Sequence, residues 1–298
     1  MAKNFESLFK LALEKGPKKV AVAVAQDEDV LGAVKEAYEK GIAIPILVGD
    51  KDSIEKIASD IGFDLNGIEI IDEKDGTLAA RKATSLVSSG EAHVLMKGLI
   101  DTSVIMKQVL DPEIGLRTGN VISHVAVFDV PTYHKVFIVT DAAMIIAPDL
   151  TQKKQIIENA VQLAHALDIA EPKVAVLAAK EKVSEKMEAT VHAKALADMN
   201  KSGEIKGCIV DGPLALDNAV SKESARIKGI DSEVAGDADI LLAPDIEAGN
   251  ILYKSLSFLG NAKSAGLIVG TSKPIVLTSR ADSEEAKLNS IVLATLMA

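Results

Sequence analysis

The stretch KKVAVAVAQDEDVLGAVKEAYEKGIAIPILVG, residues 18–49, decides how this chain folds. Residues 18–25 are an apolar run of Val and Ala without polar alternation, the pattern of a strand buried on both faces. Residues 28–41 follow a helical pattern, and residues 42–49 are a second apolar run. Two strands joined through a helix of that length must run parallel, because a crossover returns the chain to the same end of the sheet. The unit therefore predicts a βαβ fold.

Outward from it the alternation continues. A helix is expected near 51–62, a strand at AHVLMKG (92–98) and a helix near 102–110. After residue 150 come a helix at 151–168, KVAVLAA (173–179), a helix near 184–200, IKGCIVDG (205–212) and ADILLAP (238–244). A helix near 246–260, GLIVG (266–270), PIVLTS (274–279) and a helix to the end complete the pattern. One segment differs: VISHVAVFDV (121–130) and HKVFIVTD (134–141) are separated only by Pro131–Tyr133, so they must pair antiparallel. The fold class expected is α/β, with two α/β lobes, mainly parallel sheets and an interlobe cleft.

Of 298 residues, 48% are apolar, so extended disorder is excluded and a large aliphatic core is available. The net charge is −10, which disfavours nucleic acid and anionic membrane surfaces as partners. There is no Trp, which argues against base-stacking platforms. A single cysteine, Cys208, excludes an internal disulfide and fits a cytoplasmic protein. It is read as an inert core residue within a strand. His134, His165 and His192 lie in no catalytic-triad motif, and no Cys/His spacing suggests a metal site.

In parallel α/β sheets, ligands bind beyond the carboxyl ends of the strands. The residues there are Lys97-Gly98, Thr140-Asp141, Asp211-Gly212-Pro213, Pro244-Asp245 with Gly249-Asn250, and Thr278-Ser279-Arg280. Each of these also suits a turn or a helix cap. Neither GxGxxG nor GxxxxGK[ST] is present where a nucleotide-binding fold needs it. Ser279-Arg280 has the makings of an anion site, since a strand ends, a two-pronged donor follows and a helix begins at Asp282. The same Asp282 with Glu285 also reads as an acidic capping box.

Five motifs then carry a resemblance: TDAAMIIAPDL (140–150), DGPLALDNAVS (211–221), GDADILLAPD (236–245), PDIEAGNILYK (244–254) and KPIVLTSRADSEEAK (273–287). Together they resemble the phosphate acetyl/butyryltransferase family over nearly the whole chain, and its butyryl branch most. The resemblance implies a fold like that of isocitrate and isopropylmalate dehydrogenases, with residues 1–130 and 280–298 in one lobe and 131–279 in the other. It implies reversible transfer of a short acyl group, butyryl by branch, between coenzyme A and inorganic phosphate, giving acyl phosphate. Coenzyme A is then a substrate, no cofactor or metal is needed, and a homodimer or higher homo-oligomer is expected. Acetyl is the alternative acyl group, and a metal-dependent NAD dehydrogenase of similar fold is the alternative of another class.

By the same resemblance, Ser279 and Arg280 act at the reacting phosphate and thioester, with Arg117 as the favoured cation from the first lobe and Lys97 and Lys107 competing for that part. Substrate-binding candidates are Lys97, Gly98, Lys107, Asp141, Asp211, Gly249, Asn250, Tyr253 and Lys254. One departure stands out: family acetyltransferases carry an aspartate seven residues after the motif serine, where this chain has Ala286.

Overall fold

The computed structural model describes residues 4–278 and 282–298, and the chain divides into two compact units. One unit comprises Glu6–Asn120 and Ala265–Ala298, the other chiefly Val121–Ser264. The expected division lay at 130 and 280. The observed one falls earlier at both points, because the antiparallel hairpin stays whole on one side and the strands after Ser264 pair back into the first unit.

The first unit begins with α1 (Phe5–Lys15), β1 (Lys18–Ala23), α2 (Glu28–Glu39), β2 (Ala43–Gly49) and α3 (Lys51–Asp60). It continues with β3 (Glu69–Asp72), α4 (Gly76–Ser88), β4 (Val94–Lys97) and α5 (Thr102–Val109). The other unit holds β5 (Ser123–Asp129), β6 (Phe137–Thr140), α6 (Leu150–Ala166), β7 (Lys173–Leu177), α7 (Glu188–Lys201) and β8 (Ile209–Leu214). It also holds α8 (Leu216–Val220), α9 (Lys222–Ile227), β9 (Ile240–Leu242) and α10 (Ile246–Phe258). The chain returns with β10 (Lys263–Val269), β11 (Ile275–Val276) and α11 (Glu284–Met297).

Strand order in the first unit is β3-β2-β1-β4-β11-β10. All neighbours run parallel except β10 with β11, which meet at Ile268 and Ile275. In the other unit the order is β5-β6-β9-β7-β8, parallel apart from the β5–β6 hairpin. The interiors of these strands are aliphatic: Val20, Ala21, Val22 and Ala23 are fully or almost fully buried, as are Val125, Ala126 and Val127. This explains the absence of polar alternation in the sequence. Ten residues of α11 are buried, and the helix packs on α2 and β11. A helix buried over most of its length belongs in a core, and its polar members Lys287, Asn289, Ser290 and Thr295 are buried with the rest.

Several expectations need correction. β3 and α4 fall where no element was expected. The β3 strand is four residues with a half-exposed pattern, so it lacks the apolar run that marks its neighbours. Cys208 precedes β8 instead of lying within it, and β8 continues through Asp211 to Leu214, so Asp211 is a strand residue in register with Ala175. The cap of α11 is Ser283, whose side chain accepts from the Ala286 N–H at 3.2 Å, not Asp282. A serine with extended backbone satisfies an orphan N–H donor as well as an aspartate does, and Glu284 and Glu285 in the first turn supply the negative charge. Among the described residues, no helix is long and apolar enough to cross a membrane.

Candidate active site

Two groups of residues form at the carboxyl ends of the strands, one in each unit. In the first unit, β1, β4 and β11 are adjacent and parallel, with Ala23 beside Lys97 and Val276 beside Met96. Their ends open into a pocket of about 100 Å³ lined by Asp27, Asp29, Lys97, Gly98, Thr278 and Lys287, among others. Lys97 is only 6% exposed, and its Nζ donates to the carbonyls of Gly98 at 3.2 Å and Ile100 at 3.1 Å. Gly98 is required sterically: a Cβ there would stand 2.2 Å from the Val24 carbonyl oxygen. The Asp27 side chain caps α2 by accepting from the Val30 N–H at 3.0 Å, which gives it a structural task at the pocket wall.

Ser279 and Arg280 lie outside the described residues. The chain enters the pocket at the buried Thr278, and beyond Arg280 the carbonyl of Asp282 accepts from Lys287 Nζ at 2.7 Å. Lys287 was not anticipated. Its signal lay in its position beside Leu288 and one turn before Ile291 on a strongly apolar helix, where a solvated lysine does not belong.

In the other unit, β6 and β9 end side by side, with Thr140 in register with Leu242. Asp141 follows β6, and its carboxylate accepts from the backbone N–H groups of Ala143 at 2.8 Å, Met144 at 3.0 Å and Ile145 at 3.2 Å. α10 begins after β9, capped by Asp245, which accepts from the Ala248 N–H at 2.9 Å. Its first turn lies against the Asp141 loop. A Cβ on Gly249 would sit 2.3 Å from the Asp141 carbonyl oxygen, and Asn250 Nδ2 donates to the Ala142 carbonyl at 3.1 Å. Gly249 and Asn250 therefore hold the strand-end loop in place.

The structure thus groups Lys97 and Gly98 with Thr278, and Asp141 with Gly249 and Asn250. Tyr253 turns into the core, edge-on to Phe128 at 5.4 Å and to His124 at 5.8 Å. Lys254 is exposed, 6.0 Å over the Phe258 ring. Asp211 accepts from the adjoining Gly212 N–H at 2.8 Å. Lys107 and Arg117 are exposed, and the backbone of Arg117 bridges to Thr271. Among the described residues, no side-chain hydrogen bond or ion pair joins Lys107, Arg117 or Asp211 to either group.

A second buried lysine escaped the sequence reading. Lys153, on the apolar stripe of α6 with Ile156 and Ile157, is 4% exposed, and its Nζ lies 3.1 Å from His192 Nδ1. Burial lowers its proton affinity, against the pull of Glu188, Asp245 and Asp149. His192 is also pushed down, by burial and then by Lys153, so it remains neutral and accepts from the ammonium.

The other histidines are similarly engaged: His134 Nε2 meets Asp237 at 2.8 Å, and His165 Nε2 meets the Gly207 carbonyl at 2.9 Å. Burial, and then Glu158 and Glu171, push the Cys208 thiol up to about 11, which keeps it protonated and unreactive near neutrality. Among the described residues, no group of three His, Cys, Asp or Glu side chains is placed to hold a metal ion.

Comparison with known proteins supplies the context. The family described as phosphate acetyl/butaryl transferase matches residues 4–80 and 76–295. The chain is 53% identical over 298 residues to a phosphate butyryltransferase of Clostridium beijerinckii, covering 100% of this chain and 99% of that one. It is 48% identical over 293 residues to a phosphate acetyltransferase of Thermotoga maritima, covering 98% and 99%. The crystal structure of a branched-chain phosphotransacylase from Enterococcus faecalis V583 superposes with a TM-score of 0.83 at 36% identity, covering 94% of this chain and 98% of that one.

Proposed function

The chain belongs to the phosphate acetyl/butyryltransferase family, and from that premise we propose that it carries a short acyl group, butyryl first, reversibly between coenzyme A and inorganic phosphate. The observation that carries this reading is the end-to-end identity of 53% with a phosphate butyryltransferase. A thiol-release assay with acetyl-, propionyl-, butyryl- and branched acyl-CoA in phosphate tests it. The highest kcat/KM is expected with butyryl-CoA, and a clear preference for acetyl-CoA would move the chain to the acetyl branch.

In the forward step a phosphate oxygen attacks the thioester carbonyl carbon. A C–O bond forms, negative charge grows on the carbonyl oxygen, and the C–S bond then breaks to release CoA thiolate. Charge stabilisation is the main demand of such a step, because a thiolate leaves readily. In this reading Arg280 grips phosphate through two donors and the Ser279 hydroxyl donates to the developing oxyanion or to sulfur. Thr278, the described residue next to that pair, lines the Lys97 pocket, which supports the assignment. The family aspartate is replaced by Ala286, so no carboxylate from that position takes the thiol proton in the reverse direction.

Transfer is direct, without an acyl-enzyme. Cys208 is buried with a raised proton affinity, which supports this. Cys208→Ser is expected to keep kcat within about twofold, and a loss of activity beyond about 10²-fold, on the scale of lost covalent catalysis, would point to a thioester intermediate.

The active species in this reading is a homodimer. In α10 Gly249 is buried and Leu252, Tyr253 and Leu256 are half-buried on the core, while Ile251 at 67% and Phe258 at 70% are exposed, followed by Leu259 at 86%. Such a row seeks cover. Light scattering is expected to give at least twice the 31.4 kDa chain mass, and Phe258→Glu to lower it; a wild-type mass of one chain would contradict the dimer.

A further inference from the structure

Lys287 stands fourth in α11, where the helix dipole and burial both disfavour a cation. Its side chain is only 4% exposed. Among the described residues, the Asp282 carbonyl at 2.7 Å and Asp29 Oδ2 at 3.3 Å compensate it. Asp29 lies in the first turn of α2 with its side chain 63% exposed, so the ion pair has one buried and one open member. The two helix starts are in tight contact, since a Cβ on Gly32 would meet Glu284 Oε1 at 2.5 Å. Both Lys287 and Asp29 line the pocket at the ends of β1, β4 and β11.

We propose that Lys287 is a positioning residue that neutralises Asp29 at the pocket receiving phosphate, and so keeps a carboxylate there from repelling the anion. This rests on the reading that the pocket serves phosphate-dependent acyl transfer. The charge inventory supports it. Of the two carboxylates that line the pocket, Asp29 is the one paired with Lys287, while Asp27 accepts from the first turn of α2. At a few ångströms, one uncompensated like charge in a partly screened setting is worth about a tenfold change in anion affinity. Arg117, the cation expected for this lobe, is exposed on its loop, whereas Lys287 lines the pocket.

The test is the KM for phosphate at saturating butyryl-CoA and low ionic strength, measured for the wild type, Lys287→Met, Asp29→Asn and the double variant. Lys287→Met is expected to raise KM about tenfold with kcat changed less than about threefold, and the double variant to return KM to within about twofold of the wild type. The differences should shrink at about 0.5 M salt. An unchanged KM in Lys287→Met, or a double variant that keeps the tenfold rise, would overturn the proposal. Should Lys287→Met fail to fold, Asp29→Asn decides alone: the exposed carboxylate is lost, KM is expected to fall about two- to threefold, and an unchanged or higher value overturns the role. A wild type without phosphate-dependent thiol release would instead defeat the proposed function.

Discussion

Replacing Arg280 by alanine is expected to lower kcat/KM by about 10²-fold or more, and lysine is expected not to restore it. The guanidinium offers two parallel donors in a plane that matches two phosphate oxygens, whereas an ammonium offers a single point of charge. The reaction brings an anion to a carbonyl that becomes anionic, so an oriented cation lowers the barrier both by placement and by charge. The reverse direction, acyl phosphate with CoA, should lose as much in kcat/KM, since both directions pass through one transition state. A lysine variant with near-normal kinetics would show Arg280 to be a solvated surface charge.

The second large effect concerns stability and activity together. Helix propensity alone predicts that Gly249→Ala should stabilise α10 by about 0.5–1 kcal/mol. The packing predicts the opposite. The new Cβ would meet the Asp141 carbonyl oxygen at 2.3 Å, the Ala142 Cα at 3.1 Å and the Ala243 Cβ at 3.2 Å, and the nearest of these is backbone. Relief requires α10 to move off the β6–α6 loop, straining the Asn250 bond to the Ala142 carbonyl. Overpacking of this kind costs about 1–3 kcal/mol, which in a chain of this size lowers Tm by about 2–10 °C. Because the loop carries Asp141, activity should fall more than about tenfold at temperatures where the variant is still folded. A raised Tm with full activity would show that the helix is not held against the loop.

Much of the fold was legible because buried parallel strands must be continuously apolar. Residues 18–25 and 42–49 announce themselves, and the short link between 130 and 134 leaves the hairpin no parallel alternative. The strand at Glu69–Asp72 was not legible, because a short strand with two exposed ends carries no such run. Of the candidates named by residue type, Asp141 and the Gly249-Asn250 pair meet at one strand end, whereas Ser279-Arg280 lie outside the described residues. The site was illegible where burial changes a residue's meaning. Lys153 and Lys287 carry no motif, and only packing shows that both are buried on their helices. Arg117 and Lys107 read as candidates by position in sequence, yet both are exposed, a property that sequence position does not encode.

The most direct test of the central claim is the initial rate of thiol release from butyryl-CoA, measured against butyryl-CoA at several fixed phosphate concentrations. Direct attack in a ternary complex predicts no release without phosphate and double-reciprocal lines that intersect. Parallel lines, or release of CoA with the acyl group retained on the protein before phosphate is added, would contradict it.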